Sequence, residues 1–174
     1  MPPAKTNILL HICVDNFNIT SKFYSMSSNK VHLHRVIAAP VEKVFRAFTN
    51  PDAMASWLPP YGFIAKVHHM DVKEGGSYSM SFTNFTSGNS QSFGGEYVQI
   101  IPNELIKYTD RFDDPNLPGE MVTTIHLKAV SCGTELTATQ EGIPAVIPTE
   151  MCYLGWQESL DKLKRLVEPN IPDA

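Results

Sequence analysis

No stretch of this sequence approaches the roughly 18 consecutive apolar residues of a membrane-spanning helix, so a helical span is excluded. Blocks of like charge are missing too. Lys and Arg number 14 against 18 Asp and Glu, a formal net charge of -4. Without a clustered basic surface, nucleic acid is not an expected partner. Cysteine is scarce. Cys13, Cys132 and Cys152 are odd in number, far apart and without any C-x-x-C pair, which excludes a disulfide framework. Reduced thiols in the cytoplasm are the simplest account. There is no G-x-S-x-G elbow and no phosphate-cradling glycine loop. Gly75-Gly76 and Gly94-Gly95 read instead as glycines of turns or bulges.

The histidines lack metal-site spacing. His32, His34 and His126 could in principle meet, but no compact pattern with cysteine or carboxylate accompanies them, and solvated imidazoles on an outer sheet face explain them. Adjacent His68 and His69 would point to opposite faces of a strand. No metal or other cofactor is expected.

What the sequence does have is one long amphipathic helix at its C-terminal end, Thr149–Val167. Cys152, Trp156, Leu160, Leu163 and Val167 follow one another at steps of three and four, a single apolar stripe. Met151, Gly155 and Ser159 widen it, and charged residues fill the opposite side. A one-sided helix needs a surface to lie on, and the preceding chain supplies one. The period is alternating over 63–72, 77–82, 92–101, 105–112, 121–130 and 135–141, with turn residues between the runs. A further strand at 31–38 makes seven. Two short helices follow that first strand, one started by Pro40 and stopped by Asn50-Pro51, the next spanning 52–57. Short connections favour antiparallel neighbours, so the expectation is an α+β domain: one curved sheet covered by one long helix.

The domain is expected to span residues 30–168, with a tail at 169–174. Residues 1–29 form an extension whose apolar run Ile8 to Val14 is short for a signal-peptide core, carries His11, and could add an edge strand.

A curved sheet around a helix leaves a cavity where the strands splay away. Alternation puts Tyr78, Met80 and Phe82 on one face of their strand, Ile106, Tyr108, Asp110 and Phe112 on one face of theirs, and Met121, Thr123, Ile125 and Leu127 on a third. With Trp57, Met151 and Trp156 they form a set rich in aromatic rings and methionine. Core filling explains any one of them. The set, seeded with phenols and a carboxyl that need partners when buried, suits a ligand pocket. The candidate ligand-binding residues are therefore Trp57, Tyr78, Met80, Phe82, Tyr108, Asp110, Phe112, Met121, Thr123, Ile125, Met151 and Trp156. For acid-base chemistry the candidates are Asp110, since burial on an apolar face raises a carboxyl's pKa, or a cavity tyrosine.

The runs RVIAAPVEKVFRAFTNP at 35–51, WLPPYGF at 57–63, DVKEGG at 71–76, GEY at 95–97, GTEL at 133–136 and GWQESLDKL at 155–163 carry a resemblance. Together they resemble the SRPBCC superfamily, and within it the AHSA1-like domains, the family named for the activator of heat-shock protein 90 ATPase. The resemblance covers residues 31–168. It implies a helix-grip fold, also called START-like or Bet v 1-like. The superfamily includes binders of lipids, sterols, plant hormones and polyketides as well as aromatase-cyclases, so it implies a cavity without fixing the cargo. In the activator itself such a domain is joined to a separate N-terminal domain that contacts the chaperone, for which this chain has about 29 residues.

Function is therefore expected to be non-enzymatic binding of a small hydrophobic or aromatic molecule between the last helix and the sheet. The alternatives are a cyclase- or hydrolase-type enzyme using the same cavity, and a chaperone-interacting module. A homodimer is compatible with the sequence, although no feature specifies one.

Overall fold

The computed structural model describes residues 29–173. The Ile8 to Val14 run, with the edge strand expected of it, lies outside the described residues. In chain order come β1 (Lys30–Ile37), α1 (Val41–Thr49), α2 (Pro51–Trp57), β2 (Phe63–Met70), β3 (Ser77–Asn84), β4 (Ser90–Ile101), β5 (Leu105–Phe112), β6 (Met121–Val130), β7 (Gly133–Glu141) and α3 (Thr149–Val167). Among the described residues the seven strands form one antiparallel sheet in the order β1-β7-β6-β5-β4-β3-β2. β2 to β7 are a meander of sequence neighbours. β1 joins the far edge, pairing Lys30 with Glu141. This is the helix-grip arrangement.

Local chemistry sets the corner between β1 and β2. Asn50 ends α1 in an extended conformation, and its side chain accepts the Ala53 N–H to cap α2, with Pro51 in the first turn. The Trp57 ring is driven into the interior, stacks edge-on against Phe48 at 4.7 Å, and donates its Nε1–H to the Ala47 carbonyl at 2.8 Å. That bond satisfies the only polar atom on a fully buried ring.

The inner face of the sheet is built in cross-strand rows. One row is apolar: Ile106 pairs with Ile125, Ile125 with Ala138, and Ala138 with Leu33. All four are buried, as are Leu160, Leu163 and Val167 of α3. Burying each large side chain contributes roughly 1.5–3 kcal/mol before entropy. The next row is polar: Tyr97, Tyr108, Thr123 and Gln140 stand side by side across β4 to β7. Beyond it Tyr78, Gly95, Asp110 and Met121 continue on β3 to β6. The face thus changes from dry to polar along its length.

Two bulges bend the sheet, at Val67/His69 in β2 and at Tyr97/Gln99 in β4. The first leaves both His68 and His69 exposed, so strict alternation through this pair fails because an extra residue interrupts it. Gly94 and Gly95 lie within β4 rather than at its edge. A Cβ at Gly95 would collide with the Thr109 carbonyl, so the bare backbone lets β5 come close.

Candidate functional site

A cavity of about 170 Å³ lies between the N-terminal half of α3 and the β3 to β5 part of the sheet. The C-terminal half of α3 is packed down solidly through Leu160, Leu163 and Val167. Its N-terminal half lines the space with Met151, Cys152, Leu154, Gly155, Trp156, Glu158 and Ser159. Gly155 is informative. It sits in mid-helix, needs no left-handed backbone, and a Cβ built on it would meet nothing within 4 Å. Glycine there weakens the helix by about 1 kcal/mol relative to alanine, with no close approach to require it.

The sheet supplies the opposite wall. Phe93 stands 4.7 Å from Phe82 and 6.4 Å from Phe112, both edge-on. Tyr78 lies 5.6 Å from Tyr108 and 5.7 Å from Tyr97. The third side is the connection from α2 to β2, from which Leu58 and Pro60 line the cavity and which α3 holds in place. Ser159 Oγ donates to the Leu58 carbonyl at 2.6 Å, Lys162 Nζ donates to the Pro59 carbonyl at 2.9 Å, and Glu158 Oε2 accepts the Tyr61 N–H at 2.9 Å.

Polar groups in this apolar setting are few, and two lack partners. Gln91 makes no side-chain hydrogen bond through either amide atom, and Asp110 Oδ1, removed from solvent, has none. The Tyr78 hydroxyl has one proton and two acceptors within reach, the Thr109 carbonyl at 3.0 Å and the Asp110 carboxyl. Burial pushes the Asp110 carboxyl up to about 7; the neighbouring Tyr78 hydroxyl and the Arg111 backbone N–H pull it back only in part. The phenols are raised by burial first and by Asp110 second at Tyr78 and Tyr108, and by burial at Tyr97. Gln140 is engaged, accepting the Trp156 indole N–H at 3.2 Å. A carboxyl that titrates near neutrality can exchange a proton with a ligand or hold a positive charge.

Of the residues singled out in the sequence, Tyr78, Phe82, Tyr108, Asp110, Phe112, Met121, Met151 and Trp156 line this cavity. Trp57, Met80, Thr123 and Ile125 are buried elsewhere in the packed interior. Gln91, Phe93, Gln140 and Gly155 line it as well and were not singled out. Stepping by two from Tyr97 through Gly95 and Phe93 reaches Gln91, so the signal was present once the strand is extended to Ser90. The loop 113–119 contributes no lining residue; its Leu117 is buried in the core.

On the outer face His32 Nδ1 lies 2.9 Å from Thr139 Oγ1, His34 Nε2 2.9 Å from Glu135 Oε1, and His68 Nε2 2.9 Å from Ser81 Oγ. Among the described residues no three His, Cys, Asp or Glu side chains are grouped as a metal would need, and no helix is long and apolar enough to cross a membrane.

Comparison with known proteins gives a family match over residues 38–168, to the model described as Activator of Hsp90 ATPase homolog 1-like protein. Protein CV1439 of Chromobacterium violaceum, solved by crystallography, is 56% identical, with 82% of this chain and 99% of that one covered at a TM-score of 0.81. An AHSA1-like protein of Aeromonas hydrophila, solved by NMR, is 20% identical over 80% of this chain and 92% of its own, with a TM-score of 0.67, and shares the fold. No curated protein matches.

Proposed function

Because the chain belongs to the family of Activator of Hsp90 ATPase homolog 1-like proteins, we propose that it binds a small, mainly apolar molecule between α3 and strands β3 to β5, without chemical conversion. The observation that carries this reading is Gly155: the helix forgoes a side chain where one would fit, and what is kept is space. A void with no occupant is unfavourable, since its walls lose their contacts.

The volume sets the scale of the ligand. A dry cavity of about 150 Å³ takes a benzene molecule, and drug-sized sites run from roughly 300 to 1,000 Å³. At about 170 Å³ this cavity fits one ring with a short substituent. A longer molecule would have to extend out of the cavity, on the side where the lining residue Leu154 is exposed.

Native mass spectrometry of the purified chain, followed by organic extraction, tests the proposal. A stoichiometric small molecule, or on an empty protein a thermal shift with one-ring compounds such as benzyl alcohol and benzylamine, is the expected result. An empty protein that no such compound stabilises would overturn it.

A further inference from the structure

We propose that this cavity selects organic amines, seating a protonated nitrogen against Asp110 with the apolar body among the aromatic rings. The inference rests on the binding reading above and narrows it to a ligand class.

The first argument is the charge of the walls. Asp110 and Glu158 are the charged side chains that line the cavity, and no Lys, Arg or His lines it. An anion would enter without a counter-charge, which is costly between walls that are mainly apolar. A cation would meet the Asp110 carboxyl; Glu158 is already engaged by the Tyr61 N–H and the nearby Lys162 ammonium.

The second is the unmet valence of Asp110. Its Oδ1 is removed from solvent and makes no hydrogen bond. The groups nearest it on the inner face are Tyr78 from β3, Tyr108 on its own strand and Met121 from β6, with Tyr97 of β4 in the next row and Glu158 on the α3 wall of the cavity. None is a cation. Arg111, the next residue, is exposed on the other side of the strand and paired with Glu120 at 2.8 Å. An ammonium would supply both the donor and the charge, and charge-assisted hydrogen bonds of this kind are the strong ones.

The third is the character of the remaining wall. Tyr78, Phe82, Phe93, Tyr108, Phe112 and Trp156 present aromatic rings to the space. Ring quadrupoles attract cations, and desolvation strengthens that attraction. Gln91 can donate or accept, so it suits amines and neutral ligands equally.

The test titrates the full chain with benzylamine, benzyl alcohol and benzoate, which share one ring and differ in charge, following protein NMR shifts so that weak binding is measured. At pH about 8 benzylamine is expected to bind at least about tenfold more tightly than benzyl alcohol, with benzoate weakest. Benzylamine stays protonated from pH about 8 to pH about 6, while Asp110, which titrates near 7 in the empty protein, takes up its proton. Benzylamine affinity should therefore fall about tenfold over that range, and the preference over the alcohol should shrink with it. In Asp110→Asn the amine-to-alcohol preference should drop to within about twofold; the pH series on the unmodified chain decides the matter if that variant does not fold.

Benzyl alcohol or benzoate binding as tightly as benzylamine would overturn the amine inference and leave the cavity reading standing. Amine preference retained in Asp110→Asn, or unchanged with pH, would overturn it too. Failure of all three compounds to bind a protein that native mass spectrometry shows to be empty would remove both readings.

Discussion

Asp110 holds a carboxyl where ionisation is disfavoured, and that has a direct consequence for stability. Its pKa rises from 3.8 unfolded to about 7 folded because burial penalises the charged form. Between those values the folded state binds more protons than the unfolded one, so this group makes the fold less stable as pH rises. The penalty is absent below about 4, grows through 7 and is then constant. At ~1.4 kcal/mol per pH unit the rise is worth at most ~4 kcal/mol, less where water enters the cavity. Asp110→Asn should thus leave stability near pH 4 unchanged and raise it by about 1–3 kcal/mol at pH 8. Urea denaturation of both chains at the two pH values measures this, and an equal difference at both would show that the carboxyl is not buried. This residue was legible in the sequence, because the alternation of Ile106, Tyr108 and Phe112 fixes its face. That its Oδ1 is left without a donor was not. This depends on the bare Gly95 beside it and on the Thr109 carbonyl competing for the one Tyr78 proton.

Among the elements, α3 does two jobs with two faces. Its stripe of Trp156, Leu160, Leu163 and Val167 is buried against the sheet as its spacing foretells. Glu158, Ser159 and Lys162 hold residues 58–61, and this was hidden because each partner is about a hundred residues away and is a backbone group with no sequence signature. Ser159, which reads in the sequence as one more small residue in the stripe, is fully engaged. Removing its hydroxyl in Ser159→Ala leaves the partly buried Leu58 carbonyl without this donor, a loss of about 1 kcal/mol. Because the bond ties down one wall of the cavity, the loss should be local as well as global. Amide hydrogen exchange at Leu58 and Phe63, whose N–H groups bond Met54 and Pro60, should accelerate more than exchange in β6 and β7. Uniform acceleration would mean that the bond stabilises the fold without controlling the mouth.

At the scale of the molecule the fold is solid at one end and hollow at the other. The meander from β2 to β7 was readable from short turns and alternation, and the boundaries of β5, β6 and α3 coincide with the pattern. The hollow was not readable residue by residue, since a void is set by how far a helix stands off a sheet. Gly155 is the one residue whose identity reports that distance, and it can be used to close the space. Gly155→Leu removes the helix penalty of about 1 kcal/mol and places an apolar side chain into a cavity large enough to take it, worth roughly 1.5–3 kcal/mol when fully buried. The empty protein should gain about 1–3 kcal/mol after partial loss of that burial to imperfect packing. One-ring ligands should then bind at least about tenfold more weakly, because the side chain occupies their volume. Gly155→Ala is the control, with a gain of up to about 1 kcal/mol and binding within about threefold. A destabilised Gly155→Leu would show that the space is not available to a side chain. A stabilised one that still binds ligand would place the ligand somewhere other than under α3.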